Sequence, residues 1–228
     1  MLSKIRSVYT GAEFILTIAI TIILMFLFRP YHKFFRRIWA NTQKYLIGFK
    51  IDIRGKPDLN AKLLVINHQS ILDIVVIEAI YPLNTAWVAK KEIFDIFFLG
   101  QATKLSNMIS LDRGNKRAMV KLLKDVKDRI DNGRPVAIFP EGTRGKGEKL
   151  LKFQVGAKII AEKLNLTVQP IVIANARNVF DSQDFKAKSG TVTVSYLQPI
   201  NPSENEKWYE KLYNDMQEEL TKLSENKS

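Results

Sequence analysis

Asn67-His68-Gln69-Ser70-Ile71-Leu72-Asp73 sets an imidazole and a carboxylate five residues apart, between the apolar runs 62–66 and 74–77. On one continuous helix such residues diverge by roughly 140°, since each residue turns the helix by about 100°. They meet only if the chain turns between them. A strand ending at Asn67, a short loop and a helix beginning near Ser70 would bring the Asp73 carboxylate to one ring nitrogen. The other nitrogen is then left to face substrate, which is the arrangement of a general base with its orienting partner. What is missing is a nucleophile from the protein. The chain has no cysteine, and Ser70 stands only two residues from the imidazole. A substrate hydroxyl can supply the attacking oxygen, making the chemistry a group transfer to an alcohol. The same residues also fit a capping box, with Ser70 capping the helix and Asp73 reaching back to its amide. Spacing alone does not choose between the two.

A second polar cluster, Phe139-Pro140-Glu141-Gly142-Thr143-Arg144, runs on into Gly145-Lys146-Gly147. Backbone amides freed by glycine, together with Arg144 and Lys146, are the parts of a phosphate cradle. The spacing is not that of a nucleotide-binding Gly-x-x-x-x-Gly-Lys-Ser/Thr loop, which argues against ATP chemistry. A surface turn with solvated charges fits the same residues. Arg113 closes Leu111-Asp112-Arg113 at the end of another strand and is a second candidate phosphate ligand or a plain surface charge. Lys90 and Lys91 head a run to Gly100 that mixes charge with dense apolar side chains, suited to the wall of an acyl channel or to a core.

The elements that must position these residues read as an α/β domain. Strand-like runs at 50–54, 62–66, 85–89, 108–111, 136–139, 168–173 and 191–197 alternate with helical patterns. Met119, Leu122, Leu123, Val126 and Ile130 have the period of a helix lying on a sheet, and 155–164 reads as another. A last helix, opened by a capping box at Ser203 to Glu206, carries Trp208, Leu212, Met216, Leu220 and Leu223 on one face. The chain of 228 residues, 46% hydrophobic, suffices for one sizeable domain with an appendage. Without cysteine there is no disulfide, thiol nucleophile or thiolate metal site, and two histidines do not make a histidine-rich metal centre. No cofactor or metal is expected. The net charge of +12 asks for an anionic partner: nucleic acid, acidic carrier protein, phosphorylated substrate or anionic membrane. No nucleic-acid-binding signature accompanies it.

The appendage is amino-terminal. Residues 14–28 carry no charge, and with Gly11 and Ala12 they lie at the short end of a full span, which needs about 20 apolar residues. Arg29-Pro30 follows where a signal peptide would have small residues, so the segment reads as an uncleaved anchor. Arg29, Lys33, Arg36 and Arg37, interleaved with Tyr31, Phe34, Phe35, Ile38, Trp39 and Tyr45, read as an interfacial helix. The positive-inside rule puts those charges, and the domain behind them, on the cytoplasmic side of the cell membrane. Pro30 allows either a single span or a hairpin that dips into one leaflet. The division expected is 1–48 for membrane anchoring and 49–228 for chemistry, so deleting 1–44 should release the protein from the membrane.

The histidine motif at 67–73 followed by Phe-Pro-Glu-Gly-Thr-Arg at 139–144 resembles the 1-acyl-glycerol-3-phosphate acyltransferases, or lysophosphatidic acid acyltransferases. Residues 109–113, 153–156 and 168–173 fit as well, with Gln169-Pro170 where Val-Pro or Ile-Pro is more usual. The resemblance implies a mostly parallel sheet flanked by helices. It also implies transfer of a fatty acyl group from an acyl-CoA or acyl carrier protein thioester to the sn-2 hydroxyl of lysophosphatidic acid, giving phosphatidic acid. It makes His68 the general base, Asp73 its orienter, and Arg113, Glu141, Gly142 and Arg144 the residues that bind the glycerol phosphate. Thr143 receives no role. Lys90 or Lys91 is the expected contact for the oxyanion or the donor. The expected partners are the membrane-held lipid acceptor, the thioester donor and an anionic membrane surface. A related enzyme with a lysophospholipid or glycerol-3-phosphate acceptor is an alternative. A basic membrane adaptor without enzymatic activity is another, and it would leave His68, Asp73 and Glu141 without work.

Overall fold

The computed structural model describes residues 2–112, 118–147, 149–184 and 186–225. The uncharged stretch lies within a longer helix, α1 (Leu2–Leu27). Pro30, with its fixed φ and missing N–H, sits in a 3-10 turn at Arg29–Tyr31. The chain leaves that turn as α2 (His32–Gln43). Phe28 lies beside Phe35, Phe14 meets Trp39 edge-on at 5.1 Å, and Gln43 donates to Glu13, so α1 and α2 form an antiparallel hairpin. Both ends of α1 touch the α/β domain: Ala187 N donates to Ser7 Oγ at 3.2 Å, and Ser106 Oγ lies 4.0 Å from the sulfur of Met25. A π turn, Lys44–Gly48, leads into β1 (Phe49–Arg54).

Beyond it the chain alternates: β2 (Leu63–Ile66), α3 (Leu72–Ile80), β3 (Ala86–Lys90), α4 (Lys91–Asp95), α5 (Leu99–Leu105), β4 (Ile109–Leu111), α6 (Ala118–Asp131) and β5 (Val136–Ile138). Then come α7 (Val155–Lys163), β6 (Val168–Ala174), α8 (Ala176–Val179), β7 (Phe180–Asp181), β8 (Lys186–Ala187), β9 (Gly190–Tyr196) and α9 (Trp208–Glu225). The large sheet has the order β1-β9-β6-β2-β5-β3-β4, and every pair is parallel except β6 with β9. β2 and β6 are buried on both faces, which is why they read as near-continuous apolar runs. Leu63 and Val65 pack with Leu122, Ile160 and Trp208 from α6, α7 and α9, whereas Leu64 and Ile66 pack with Val76, Ala176 and Ala40 from α3, α8 and α2. From β2 the chain moves through α3 toward β3 and β4, whereas from β5 it crosses through α7 to β6 on the other side of β2. Such a switch opens a crevice at the carboxyl ends of β2 and β5.

Two expectations change. The capping box at Ser203 does not open the last helix: Pro202–Glu204 is a 3-10 turn capped by Asn201. The main helix starts at Trp208, with Asn205 Oδ1 accepting from Lys207 N and Asn205 O from Trp208 N. The second concerns 90–100, for which packing in the core is one of two readings. No residue of α4 is buried and Phe97 is 96% exposed, because these two short helices run over the surface.

Candidate active site

β2 ends where Asn67 takes over its pairing. The Asn67 side chain donates to Ile173 O at 2.9 Å and accepts from Ile173 N at 2.7 Å, replacing a ladder step and freeing the main chain to turn toward α3. In that turn Asp73 Oδ2 accepts from His68 Nδ1 at 2.8 Å, Gln69 N at 2.7 Å and Ser70 N at 2.8 Å. Ser70 Oγ accepts from Leu72 N at the start of α3, two residues later than the spacing predicts. The capping contacts and the imidazole–carboxylate pair are therefore one arrangement built on one carboxylate. The three donors replace the hydration lost by Oδ2 of this fully buried carboxylate, whereas Oδ1 is buried with no hydrogen-bond partner among the described residues. The His68 side chain keeps 13% of its surface exposed. With Nδ1 held by Asp73, Nε2 is the nitrogen left for substrate.

The loop after β5 is tied to this turn through main-chain atoms. Glu141 Oε1 accepts from His68 N at 2.8 Å, Gly145 N donates to His68 O at 2.7 Å, and Gln69 Nε2 donates to Gly147 O at 2.9 Å. Gly142 has φ of 69°, a left-handed conformation that glycine adopts without strain. At Gly145 a Cβ would lie 3.3 Å from Glu141 Oε2, so the close approach of the loops also favours glycine. The Phe139 ring stacks on the His68 ring with centroids 3.8 Å apart and planes 11° apart.

Glu141, expected among the substrate-binding residues, is placed otherwise. It is buried, and its second oxygen accepts from Leu151 N at 2.7 Å, so each of its oxygens braces a segment of main chain. Burial outweighs those amide bonds and pushes its carboxyl up to about 7. Its folded value thus lies above the ordinary 4.5. The stability it contributes is full below that ordinary value and is lost as pH rises through about 7, a change of roughly 3 kcal/mol. Glu141→Gln, neutral throughout, should flatten the fall in melting temperature between pH 5 and 8; thermal unfolding at both pH values checks this, and an unchanged slope would refute it.

Arg144 Nη1 donates to the neutral Ser182 Oγ at 3.2 Å, and among the described residues no carboxylate pairs with it. Its charge is available to an anion. Arg144→Ala should raise KM for a phosphorylated acceptor roughly 10- to 100-fold, the weight of a charge-assisted hydrogen bond, with a much smaller effect on kcat. An unchanged KM in acceptor titrations would remove Arg144 from the phosphate site. The β7–β8 ribbon supports this side: Arg177 pairs with Asp181 at 2.8 Å and donates to Gly145 O at 3.1 Å. Lys90 and Lys91 stand exposed at the carboxyl end of β3, and Lys91 pairs with Asp112 at 3.2 Å. Among the described residues neither lysine is hydrogen-bonded to the two loops. Arg113 lies outside the described residues.

Asn67, Gln69, Phe139 and Arg177 are the residues to which the sequence assigned no role. Three of them stand inside the two motifs, and that membership was the one signal available.

Residues 50–174, which include both loops, match the family model described as Acyltransferase. The chain belongs to that family. Among curated relatives of this acyltransferase, the 1-acyl-sn-glycerol-3-phosphate acyltransferase of Helicobacter pylori strain J99 is 45% identical over 179 residues, covering 78% of this chain and 76% of that one. The protein of the same name from Cocos nucifera is 31% identical over 172 residues, covering 75% of this chain and 55% of its own, so the chain spans about half the length of that plant relative. The crystal structure of the 1-acyl-sn-glycerophosphate (LPA) acyltransferase PlsC from Thermotoga maritima has the same fold. Its TM-score is 0.80 over 97% of this acyltransferase and 98% of that chain, at 21% identity.

Proposed function

We propose that this acyltransferase moves a fatty acyl group from an acyl-CoA or acyl carrier protein thioester to the sn-2 hydroxyl of 1-acyl-glycerol-3-phosphate, forming phosphatidic acid. The observation that carries the proposal is the 2.8 Å bond between His68 Nδ1 and Asp73 in a turn tied to the loop of Arg144. His68 Nε2 takes the acceptor hydroxyl proton as that oxygen attacks the thioester carbonyl, and Asp73 stabilises the imidazolium. Collapse of the tetrahedral intermediate forms the ester and breaks the carbon–sulfur bond, and the departing sulfur receives the proton. Arg144 takes the acceptor phosphate.

Transfer is direct in this scheme. The Ser70 hydroxyl is buried, donates to Phe180 O and accepts from Leu72 N, so it is held in the turn and not presented as a nucleophile. Purified protein should form phosphatidic acid from lysophosphatidic acid and at least one thioester type, and prefer that acceptor to uncharged or zwitterionic ones. Ser70→Ala should cost about 0.5–2 kcal/mol of stability, as loss of a cap does, and retain turnover. Radiolabelled donor without acceptor should leave no acyl group on the protein; an ester on Ser70 with ping-pong kinetics would replace direct transfer by covalent catalysis.

The hairpin gives the enzyme its place. Ile5–Leu27 is long and apolar enough to cross a membrane by length and composition. However, both ends of α1 touch the α/β domain, and Leu16, Ile20, Ile23 and Leu27 form an exposed apolar stripe. These features support a hairpin lying in one leaflet, with Arg29, Lys33 and Arg37 toward anionic headgroups on the cytoplasmic side.

A further inference from the structure

The hydrogen bond from Nδ1 fixes one atom of the His68 ring, but it leaves the ring free to tilt about that atom. The Phe139 face, stacked at 3.8 Å and 11°, removes the tilt and so sets the direction of Nε2. Phe139 is held in turn by Trp87, whose ring lies 5.3 Å away at 26°. Trp87 is buried on β3, paired with Ala137 of β5, and its Nε1 donates to Glu78 Oε1 at 2.7 Å. Glu78 stands on α3, the helix that carries Asp73 in its first turn. The same Glu78 oxygen lies 3.2 Å from Arg36 Nη1, with both side chains under 10% exposed. Arg36 belongs to α2 of the hairpin and is fixed further by Asn84 Oδ1 at 2.7 Å. A chain of contacts thus runs from the hairpin to the imidazole.

We propose that Phe139 is a positioning residue for His68, and that Arg36, Glu78 and Trp87 hold it in place, so that the seating of the membrane hairpin on α3 is part of what aligns the base. Two physical effects support this. A ring face beside the imidazole stabilises the imidazolium that forms during proton transfer, by a cation–π attraction that an aliphatic side chain does not supply. And a buried Arg–Glu pair is costly to desolvate and often no better than apolar packing for stability, so a site that keeps one gains alignment from it more readily than free energy. Glu78 can hold the indole N–H and the guanidinium at one oxygen, which no apolar residue does.

The inference rests on His68 as base, and the experiment separates the two. Phe139→Leu, Phe139→Tyr, Trp87→Phe and Glu78→Gln are compared with wild type and His68→Ala in the same micelles, with kcat and acceptor KM referred to folded protein. The His68 ring signal is followed by carbon-13 NMR and assigned by its loss in His68→Ala. Phe139→Leu should lower kcat roughly 2- to 30-fold, the factor a cation–π contact supplies, with KM unchanged and the His68 ring signal displaced by loss of the stacked ring. Phe139→Tyr, which keeps the ring, should restore most of kcat and return the signal. Glu78→Gln and Trp87→Phe should lower kcat with KM unchanged. If Phe139→Leu does not fold, Phe139→Met of similar volume replaces it. A folded aliphatic variant with wild-type kcat and an unmoved His68 ring signal overturns the role of Phe139, and wild-type kcat in Glu78→Gln overturns the link to the hairpin. Near-normal turnover of His68→Ala would instead refute His68 as base.

Discussion

His68→Ala is expected to lower kcat by about 10²- to 10⁴-fold, the range that a positioned general base contributes. The protein should stay folded, because the bonds that join the two loops run through His68 N and His68 O, and alanine keeps both. Asp73→Asn should also remove most turnover but differ in kind. A carboxamide can turn its NH2 toward Nδ1, which selects the wrong tautomer, and it weakens the acceptor for the Gln69 and Ser70 amides. Asp73→Asn therefore loses more stability than His68→Ala, which removes one of three donors from the Asp73 carboxylate but keeps the main-chain bonds between the loops. Melting temperatures measured beside kcat distinguish the two, and a folded His68→Ala protein with near-normal turnover would sink the mechanism.

How much of this was legible in the sequence depended on how local the cause is. His68, Asp73 and Ser70 lie within one turn of chain, so their spacing carried both the imidazole–carboxylate contact and the cap; it could not show that one carboxylate serves both. The buried strands were legible because a strand covered on both faces must be apolar throughout, as Leu63–Ile66 is. β7 and β8 have two residues each and no period to display. The role of Asn67 depends on Ile173, 106 residues away, and that of Gln69 on Gly147, 78 away. The bracing contacts of Glu141 were hidden for the same reason: beside Gly142 and Arg144 it reads as part of a ligand site, and only the positions of His68 N and Leu151 N show it as a brace. For the run from Ile93 to Leu99 the core reading failed in the opposite direction, since apolar content alone does not say which surface the side chains face.

Deleting residues 1–44 is the second large effect, and the structure reverses what the sequence suggests. By composition the basic-aromatic segment is an interfacial helix that can be cut away, leaving a soluble domain. In the fold α2 buries Arg36, Ala40 and Gln43, and it packs on α3. Loss of Arg36 strands the buried Glu78 carboxylate, and removing one partner of such a pair costs about 3–5 kcal/mol. The same cut uncovers apolar side chains of α3 that now lie under Ala40, so the total approaches the roughly 5–15 kcal/mol that holds a domain together. The chain of residues 45–228 is therefore expected to aggregate or to lack a cooperative unfolding transition, even at high salt, where peripheral binding through basic residues is screened. Expression of that chain, sedimentation at high salt and thermal unfolding test it. A soluble, cooperatively folded fragment that still acylates a micellar acceptor would mean that the hairpin is a detachable tether and that its buried ion pair does not support the fold.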